Sequence, residues 1–334
     1  MMRMTVLASG SRGNSTIVAT GQTRLLVDAG LSCRELMKRM LQAEEDPETL
    51  DAIVITHEHQ DHVQGLGVLA RKLDIPVYFT EATHRAWMRW MAPQKKMTYA
   101  EWMAARHAAN PRVMSESTDS DEIVEAGAAA DPDGVEARDA EAEVPAAAAK
   151  GRAAKAPARE KTAAELTHLP AVEYFRAGAT FCVGDIEITA FTIPHDAADP
   201  VGFVFRAEGL QMAIATDLGY VPQNVCAALR KCDVLMMESN HDVEMLRNGP
   251  YPWSVKQRVM SRVGHLSNHA LADFFSTEYD GSAQYVVLAH LSESNNLPEM
   301  ARLCAEQALS QRMPLLLNRL ILAAQDEPLA PILV

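Results

Sequence analysis

Short apolar runs that stop abruptly at polar, ionisable residues recur along this 334-residue chain. The clearest is Ile53-Val54-Ile55, fed by Leu50 and followed at once by Thr56-His57-Glu58-His59-Gln60-Asp61-His62. A run this short and apolar predicts a buried strand. From Val63 the spacing changes, with Val63, Leu66, Leu69, Ala70 and Leu73 on one helical face, so the polar loop joins a strand to a helix. Upstream, Met4 to Ala8, Thr16 to Ala19 and Thr23 to Asp28 read as a β-meander about the turn Ser9-Gly10-Ser11-Arg12-Gly13-Asn14-Ser15. That turn is either a phosphate cradle of backbone amides or a plain tight turn. Asp28 reads as structural. Leu31 to Leu41 predicts a helix capped by Ser32, Ile75 to Phe79 a strand, and Glu81 the start of another helix.

The second half repeats the theme. Strand pattern resumes at Ala171 to Phe175 and Thr180 to Thr192, and Ile186 to Ile193 ends in Pro194-His195-Asp196. Val201 to Ala207 and Gln211 to Ala215 predict a hairpin about Glu208-Gly209 that ends in Thr216-Asp217. Val234 to Met237 ends in Glu238-Ser239-Asn240-His241-Asp242, and Tyr285 to Ala289 ends in His290. Four strands that each finish on an ionisable group are how a layered α/β fold gathers a site along one sheet edge.

Between the halves, residues 116–165 are rich in Ala, Asp and Glu and lack apolar periodicity, which predicts a disordered insertion within one domain spanning residues 1–334. This stretch holds thirteen acids against six bases, about half of the formal charge of −13. The overall acidity therefore argues less strongly against a nucleic-acid partner than the total suggests. From Arg85 to His107, cations interleave with Trp87, Trp90, Tyr99 and Trp102, which suits either base stacking or an amphipathic helix that buries its aromatics. Five scattered cysteines without a C-x-x-C pair, no signal-like start and no long apolar span predict a reduced cytoplasmic protein, free of disulfides and of membrane.

His57, His59, Asp61 and His62 place four metal donors within six residues, more than one tetrahedral ion would use. With His195, Asp217 and His290 there are seven. If Asp217 bridges, each of two ions receives four protein bonds, and a shared water would serve as the nucleophile of a hydrolysis. The mixed imidazole and carboxylate set suits Zn, Mn or Fe, with Zn or Mn expected.

His57-x-His59-x-Asp61-His62, followed by His195, Asp217 and His290, resembles the five-part signature of metallo-β-lactamase-fold hydrolases. The resemblance covers the chain apart from the insertion. It implies a four-layer αββα sandwich, with His57, His59, His195 and Asp217 on one metal and Asp61, His62, Asp217 and His290 on the other. Leu7-Ala8-Ser9-Gly10-Ser11-x-Gly13-Asn14-Ser15, Glu238-x-Asn240-His241-Asp242, Gly264-His265-Leu266-Ser267-Asn268 and His290-Leu291-Ser292-x-x-Asn295-Asn296 are similar to the YycJ/WalJ-type group, regarded as DNA exonucleases. The spacing of Glu238, Gly264-His265 and His290-x-Ser292 also resembles ribonuclease Z. That likeness implies His265 as general acid and Glu238 as its orienting partner, beside Asp61 at the catalytic centre. The other reading of His265 is a cap on the helix begun by Ser267. His241 and His269 are weaker candidates for the same pocket, and His84, His107 and His168 are background.

The expected function is dinuclear metal-dependent phosphodiester hydrolysis, as a 5′-to-3′ DNA exonuclease. Lys256, Arg258 and Arg262 read either as phosphate contacts or as a solvated helix face, and a terminal phosphate is expected against His265, this basic segment or the Gly13-Asn14 turn. The alternatives are a small-molecule phosphodiesterase or (thio)ester hydrolase of the same fold, and a non-catalytic metal-bound scaffold.

Overall fold

The computed structural model describes residues 1–92, 163–312 and 319–334, together with residue 103. Most of the acidic stretch at 116–165 lies outside these residues. Its last three residues do not fit the disordered reading, because they open a short helix, Ala163–Thr167.

The strands, in chain order, are β1 (Arg3–Ala8), β2 (Ser15–Ala19), β3 (Arg24–Val27), β4 (Ala52–Val54), β5 (Pro76–Thr80), β6 (Ala171–Phe175), β7 (Thr180–Val183), β8 (Ile186–Thr192), β9 (Val201–Ala207), β10 (Leu210–Ala215), β11 (Val234–Glu238), β12 (Tyr285–Ala289), β13 (Arg319–Leu322) and β14 (Ile332–Leu333). The helices are α1 (Cys33–Gln42), α2 (Gln60–Val63), α3 (Leu66–Leu73), α4 (Glu81–Met91), α5 (Ala163–Thr167), α6 (Gln223–Ala228), α7 (Val243–Asn248), α8 (Trp253–Val259), α9 (Asn268–Thr277) and α10 (Pro298–Arg312). One sheet runs β14-β1-β2-β3-β4-β5-β6 and the other β13-β12-β11-β10-β9-β8-β7.

The apolar runs set the layers. In β4 every residue is buried, because Ala52 and Val54 face the opposite sheet while Ile53 and the following Ile55 face the outer helices. An alternating pattern would have left one of these faces to water. Leu36 and Met40 of α1, Leu66, Leu69 and Ala70 of α3, and Trp87 of α4 cover the first sheet. Val225 of α6, Leu271, Phe274 and Phe275 of α9, and Ala301, Ala305 and Ala308 of α10 cover the second. The result is a helix–sheet–sheet–helix stack, the αββα arrangement expected from sequence.

The helix expected from Val63 starts earlier and is broken. α2 begins at Gln60, so Asp61 and His62 sit on a helical turn. The chain then steps at Gly65, whose amide donates to Ala29 O, and a β-carbon there would fall 2.1 Å from Leu31 O. Backbone contact at this crossing excludes any side chain. Trp87 is fully buried, packed against Phe79 and His84, which decides for the amphipathic-helix reading at that residue. Tyr99 and Trp102 lie outside the described residues.

β10, β11 and β12 are mutually parallel, and β8 runs the same way through two antiparallel steps across β9. The C-terminal ends of these four strands therefore share one sheet edge. Val201 N donates to Thr56 O, joining that edge to the end of β4 in the other sheet. No disulfide forms among the described residues, where all five cysteines are free, and none of their helices is long and apolar enough to cross a membrane.

Candidate metal centre and acid group

His57, His59, Asp61, His62, His195, Asp217, Glu238, His265 and His290 converge at the shared edge. The rings of His57, His59 and His195 lie 4.6–5.0 Å apart, and His59 Nδ1 is 3.2 Å from His195 Nε2. Asp61 Oδ2 is 3.4 Å from His62 Nε2 and 3.5 Å from His290 Nε2. Asp217 lies between the clusters, with Oδ2 3.4 Å from His62 Nε2 and Oδ1 3.2 Å from His290 Nδ1.

Outer partners fix which nitrogen of each imidazole faces inward. Thr56 Oγ1 donates to Asp28 Oδ2, so its oxygen is left to accept from His57 Nδ1 at 3.0 Å. That directs His57 Nε2 to the centre. His62 Nδ1 donates to Asp28 Oδ2 at 2.8 Å, His195 Nδ1 to Gly264 O at 3.2 Å, and His290 Nδ1 to Glu238 Oε1 at 2.8 Å. All three then present Nε2, as second partners do at metal-binding histidines. His57 Nε2, His290 Nε2 and Asp217 Oδ2 are buried without a hydrogen-bond partner. Inward-facing donors left unpaired in this way fit divalent cations.

Charge agrees with this. Burial favours the neutral form of His62, yet the carboxylates of Asp61, Asp217 and Asp28 outweigh it and raise its pKa well above the usual value. His290 behaves likewise, raised against burial by Asp217, Asp61 and Glu238. Burial and the neighbouring imidazoles of His62 and His59 hold His57 well below its usual value, ready as a neutral ligand. Burial would push Asp61 and Asp217 up, but the surrounding imidazoles keep both well below the ordinary carboxylate range. The interior is therefore a field that favours cations.

Backbone conformation aims these groups. Asp28, Asp217 and His290 have φ of 61°, 61° and 53°, a region that costs a non-glycine residue energy and concentrates at functional sites. Each sits at or just past a strand end, where the left-handed turn swings the side chain over the sheet edge.

Beside the centre, His265 Nδ1 lies 2.8 Å from Glu238 Oε1. Burial disfavours the Glu238 carboxylate, but His265 and His290 lower its pKa to about 2, so it accepts from both rings. Its Oε2 also accepts from Leu218 N and Leu266 N. His265 is not the cap of α9, because Ser267 Oγ accepts from Ala270 N in that role. Ser267→Ala is expected to cost about 1 kcal/mol in urea unfolding, while His265→Ala leaves the helix cap intact. His59, Asp61, Asp217, His265 and His290 all line one cavity.

Two family models match, the metallo-beta-lactamase superfamily at residues 8–122 and a beta-lactamase superfamily domain at residues 128–291. Exodeoxyribonuclease YycJ of Bacillus anthracis is 33% identical over 315 residues, covering 93% of this chain and 90% of that protein. The chain belongs to the metallo-beta-lactamase superfamily. Within it the chain falls with the YycJ/WalJ-type group, since exodeoxyribonuclease WalJ of Streptococcus pneumoniae is also 30% identical over 92% of this chain and 88% of its own. The fold is shared with the Bacillus subtilis protein YhfI (TM-score 0.57, 14% identity, 98% and 99% coverage) and with the short form of human tRNase Z (TM-score 0.51, 15% identity, 98% and 99% coverage). This superfamily consists of metal-dependent hydrolases, and the chain is one of them.

Several sequence readings change here. The Ser9–Ser15 turn is no phosphate cradle, because the amides of Gly10, Arg12, Gly13 and Asn14 donate to Asn14 Oδ1, Gln325 Oε1, Gly10 O and Asp61 O. The turn instead braces the centre, with Asn14 Nδ2 3.1 Å from both Asp61 Oδ2 and His62 Nε2. Lys256 Nζ is turned away, bonded to Arg247 O and Gly249 O, and Arg262 stacks on Tyr220. Of the three expected phosphate contacts only Arg258 lines the cavity, with its Nε on Asp196 Oδ2. His84 is packed away as background, bonded to Tyr174, and His241 is buried, with Nδ1 3.3 Å from Asn240 Oδ1.

Asp28, read from sequence as structural, holds His62 and, through Thr56, His57. In this superfamily member Asp28→Asn is expected to weaken divalent-cation affinity about 10–100-fold without unfolding the chain. Competition against a chromogenic chelator measures the affinity, and circular dichroism the fold.

Proposed function

We propose that this chain is a dinuclear metal-dependent phosphodiesterase that removes nucleotides from DNA in the 5′-to-3′ direction. The observation that carries this reading is the pairing of His265 with the buried carboxylate of Glu238, beside the metal donors in one cavity, its ring 5.1 Å from that of His290. A proton donor facing a centre of nucleophile activation is what cleavage of a phosphodiester with a poor leaving alkoxide requires.

His57, His59 and His195 would hold one cation with Asp217, and Asp61, His62 and His290 the other with Asp217 shared between them. Two divalent cations, Zn or Mn, supply Lewis acidity and an acidified water when bound. The chain's own residues do the rest. Glu238 raises the pKa of His265 against the effect of burial, which favours the imidazolium. His265 gives that proton to the departing O3′. Glu238 also fixes the ring of His290, so one carboxylate aligns the acid and a ligand. Arg258, oriented by Asp196, faces the cavity as a phosphate contact.

The relatives named exodeoxyribonucleases support DNA as the substrate. We take the chain as one domain, working in the cytoplasm, with residues 116–165 as an insertion. The test is digestion of 5′- and 3′-labelled single-stranded and duplex DNA and RNA by the Mn- or Zn-loaded protein. Release of the 5′ label as a mononucleotide, ahead of any 3′-end shortening, is expected. Turnover of a simple phosphodiester or thioester with no cleavage of either nucleic acid would overturn the substrate and keep the centre.

A further inference from the structure

Besides the metal donors and His265, the cavity is lined by Leu246, Tyr251 and the Val255 and Val259 side of α8, which adjoins His265 because His265 N donates to Val259 O. Asn295 also lines it, 1% exposed, and its Oδ1 and Nδ2 both lack a hydrogen-bond partner.

This is not a loose side chain. Asn295 N donates to Ser292 Oγ and its carbonyl accepts from Asp242 N, so the backbone is held on both sides. The amide sits against Gly249, where a β-carbon would come within 2.3 Å of Oδ1. The adjacent Asn296, equally buried, gives the contrast. Its Nδ2 donates to Ser239 O, Asn240 O and Asn268 Oδ1, and its Oδ1 accepts from Asn268 Nδ2 and Leu297 N. A buried amide with both donor and acceptor unmade is rare in folded proteins and unfavourable, so Asn295 is poised for a partner that offers both.

We propose that this apolar wall and Asn295 form the subsite for the nucleotide being released, with its base beside Tyr251 and the Val255/Val259 face and its edge paired to the Asn295 amide. The assignment rests on the phosphodiesterase reading. In that reaction the water's oxygen bonds to phosphorus and the P–O3′ bond breaks. O3′ takes the proton of His265, and the proton lost by the water restores His265 through solvent. The departing nucleotide therefore lies on the His265 side, where the apolar walls begin. Bases display a donor next to an acceptor, and an asparagine amide pairs with such an edge bidentately. No neighbour fixes which way this amide faces, so by rotating it meets either order of donor and acceptor. That tolerance is what an enzyme consuming any sequence needs. Gly249 lies against the amide, so pairing with a base requires the 249–252 turn, held by Lys256 at Gly249 O, to move aside.

The test compares release of a natural 5′-terminal nucleotide with release of a 5′-terminal abasic (tetrahydrofuran) nucleotide by the full-length, Mn-loaded chain. The wild type is expected to favour the natural end by about tenfold to a hundredfold in kcat/KM, and Asn295→Leu to bring the ratio close to one with metal content unchanged. Asn295→Asp, which keeps the shape and removes the donor, provides the same comparison if the leucine variant does not fold. A ratio near one in the wild type, or one that neither variant changes, would overturn the subsite while DNA cleavage itself upholds the nuclease reading. If the wild type cuts no DNA, the nuclease reading fails and calorimetry decides the subsite. Tighter binding of dAMP than of deoxyribose 5-phosphate, lost in either variant, supports it, and equal binding overturns it.

Discussion

Asp217→Ala is expected to leave a folded chain that no longer retains two divalent cations and hydrolyses DNA at least about a thousandfold more slowly, since Lewis-acid catalysis supplies several kcal/mol. Asp217 is the residue placed between the two donor groups, within 3.4 Å of His62 on one oxygen and 3.2 Å of His290 on the other. Its Oδ2 is buried and without a hydrogen-bond partner, so the carboxylate has little to do in the fold beyond the centre. Removing it also leaves two buried imidazoles without a principal counter-charge. Metal content by plasma mass spectrometry and rates on labelled DNA test this together. A variant that keeps two cations and near-normal rates would show that Asp217 does not bridge.

His265→Ala should separate chemistry from metal binding. The expected result is a loss of about 10²–10⁴-fold in kcat, with cation content and KM close to wild type, because the side chain acts on the leaving group in the transition state. A substrate whose leaving group needs no proton, such as a p-nitrophenyl phosphodiester, should lose far less. Equal loss on both substrates would mean that His265 orders the site rather than donating a proton. Glu238→Gln is predicted to be the harsher change to the structure, since its carboxylate accepts from His265, His290, Leu218 and Leu266 together.

Much of this candidate centre was legible in the sequence because its potential ligands are local and abrupt. His57, His59, Asp61 and His62 follow a strand too apolar to be anything but buried, and His195, Asp217 and His290 repeat that placement at other strand ends. Parallel pairing of β10, β11 and β12 then brings those ends together without further instruction. The same reasoning left the Ser9–Ser15 turn open between two readings and misplaced Lys256. Glycine and serine signal a turn, but only the folded chain shows that the turn's amides are taken up by Asn14, Gln325, Gly10 and Asp61. A lysine beside an aromatic suggests a phosphate contact, and two carbonyls at the end of α7 claim it instead.

By itself the sequence determined the buried strands, the candidate donor types and the strand ends that carry them, because burial periodicity and donor spacing are properties of a few consecutive residues, while the layer order was implied by the family resemblance. Tertiary structure alone decided which nitrogen His62, His195 and His290 turn inward, since the choice is made by Asp28, Gly264 and Glu238, tens of residues away. It also decided that Glu238 serves two rings at once, and that Asn295 is left unpaired while Asn296 beside it is satisfied. Hydrogen-bond direction depends on which partner arrives, and for these groups the partner arrives only when both sheets have closed on the same edge.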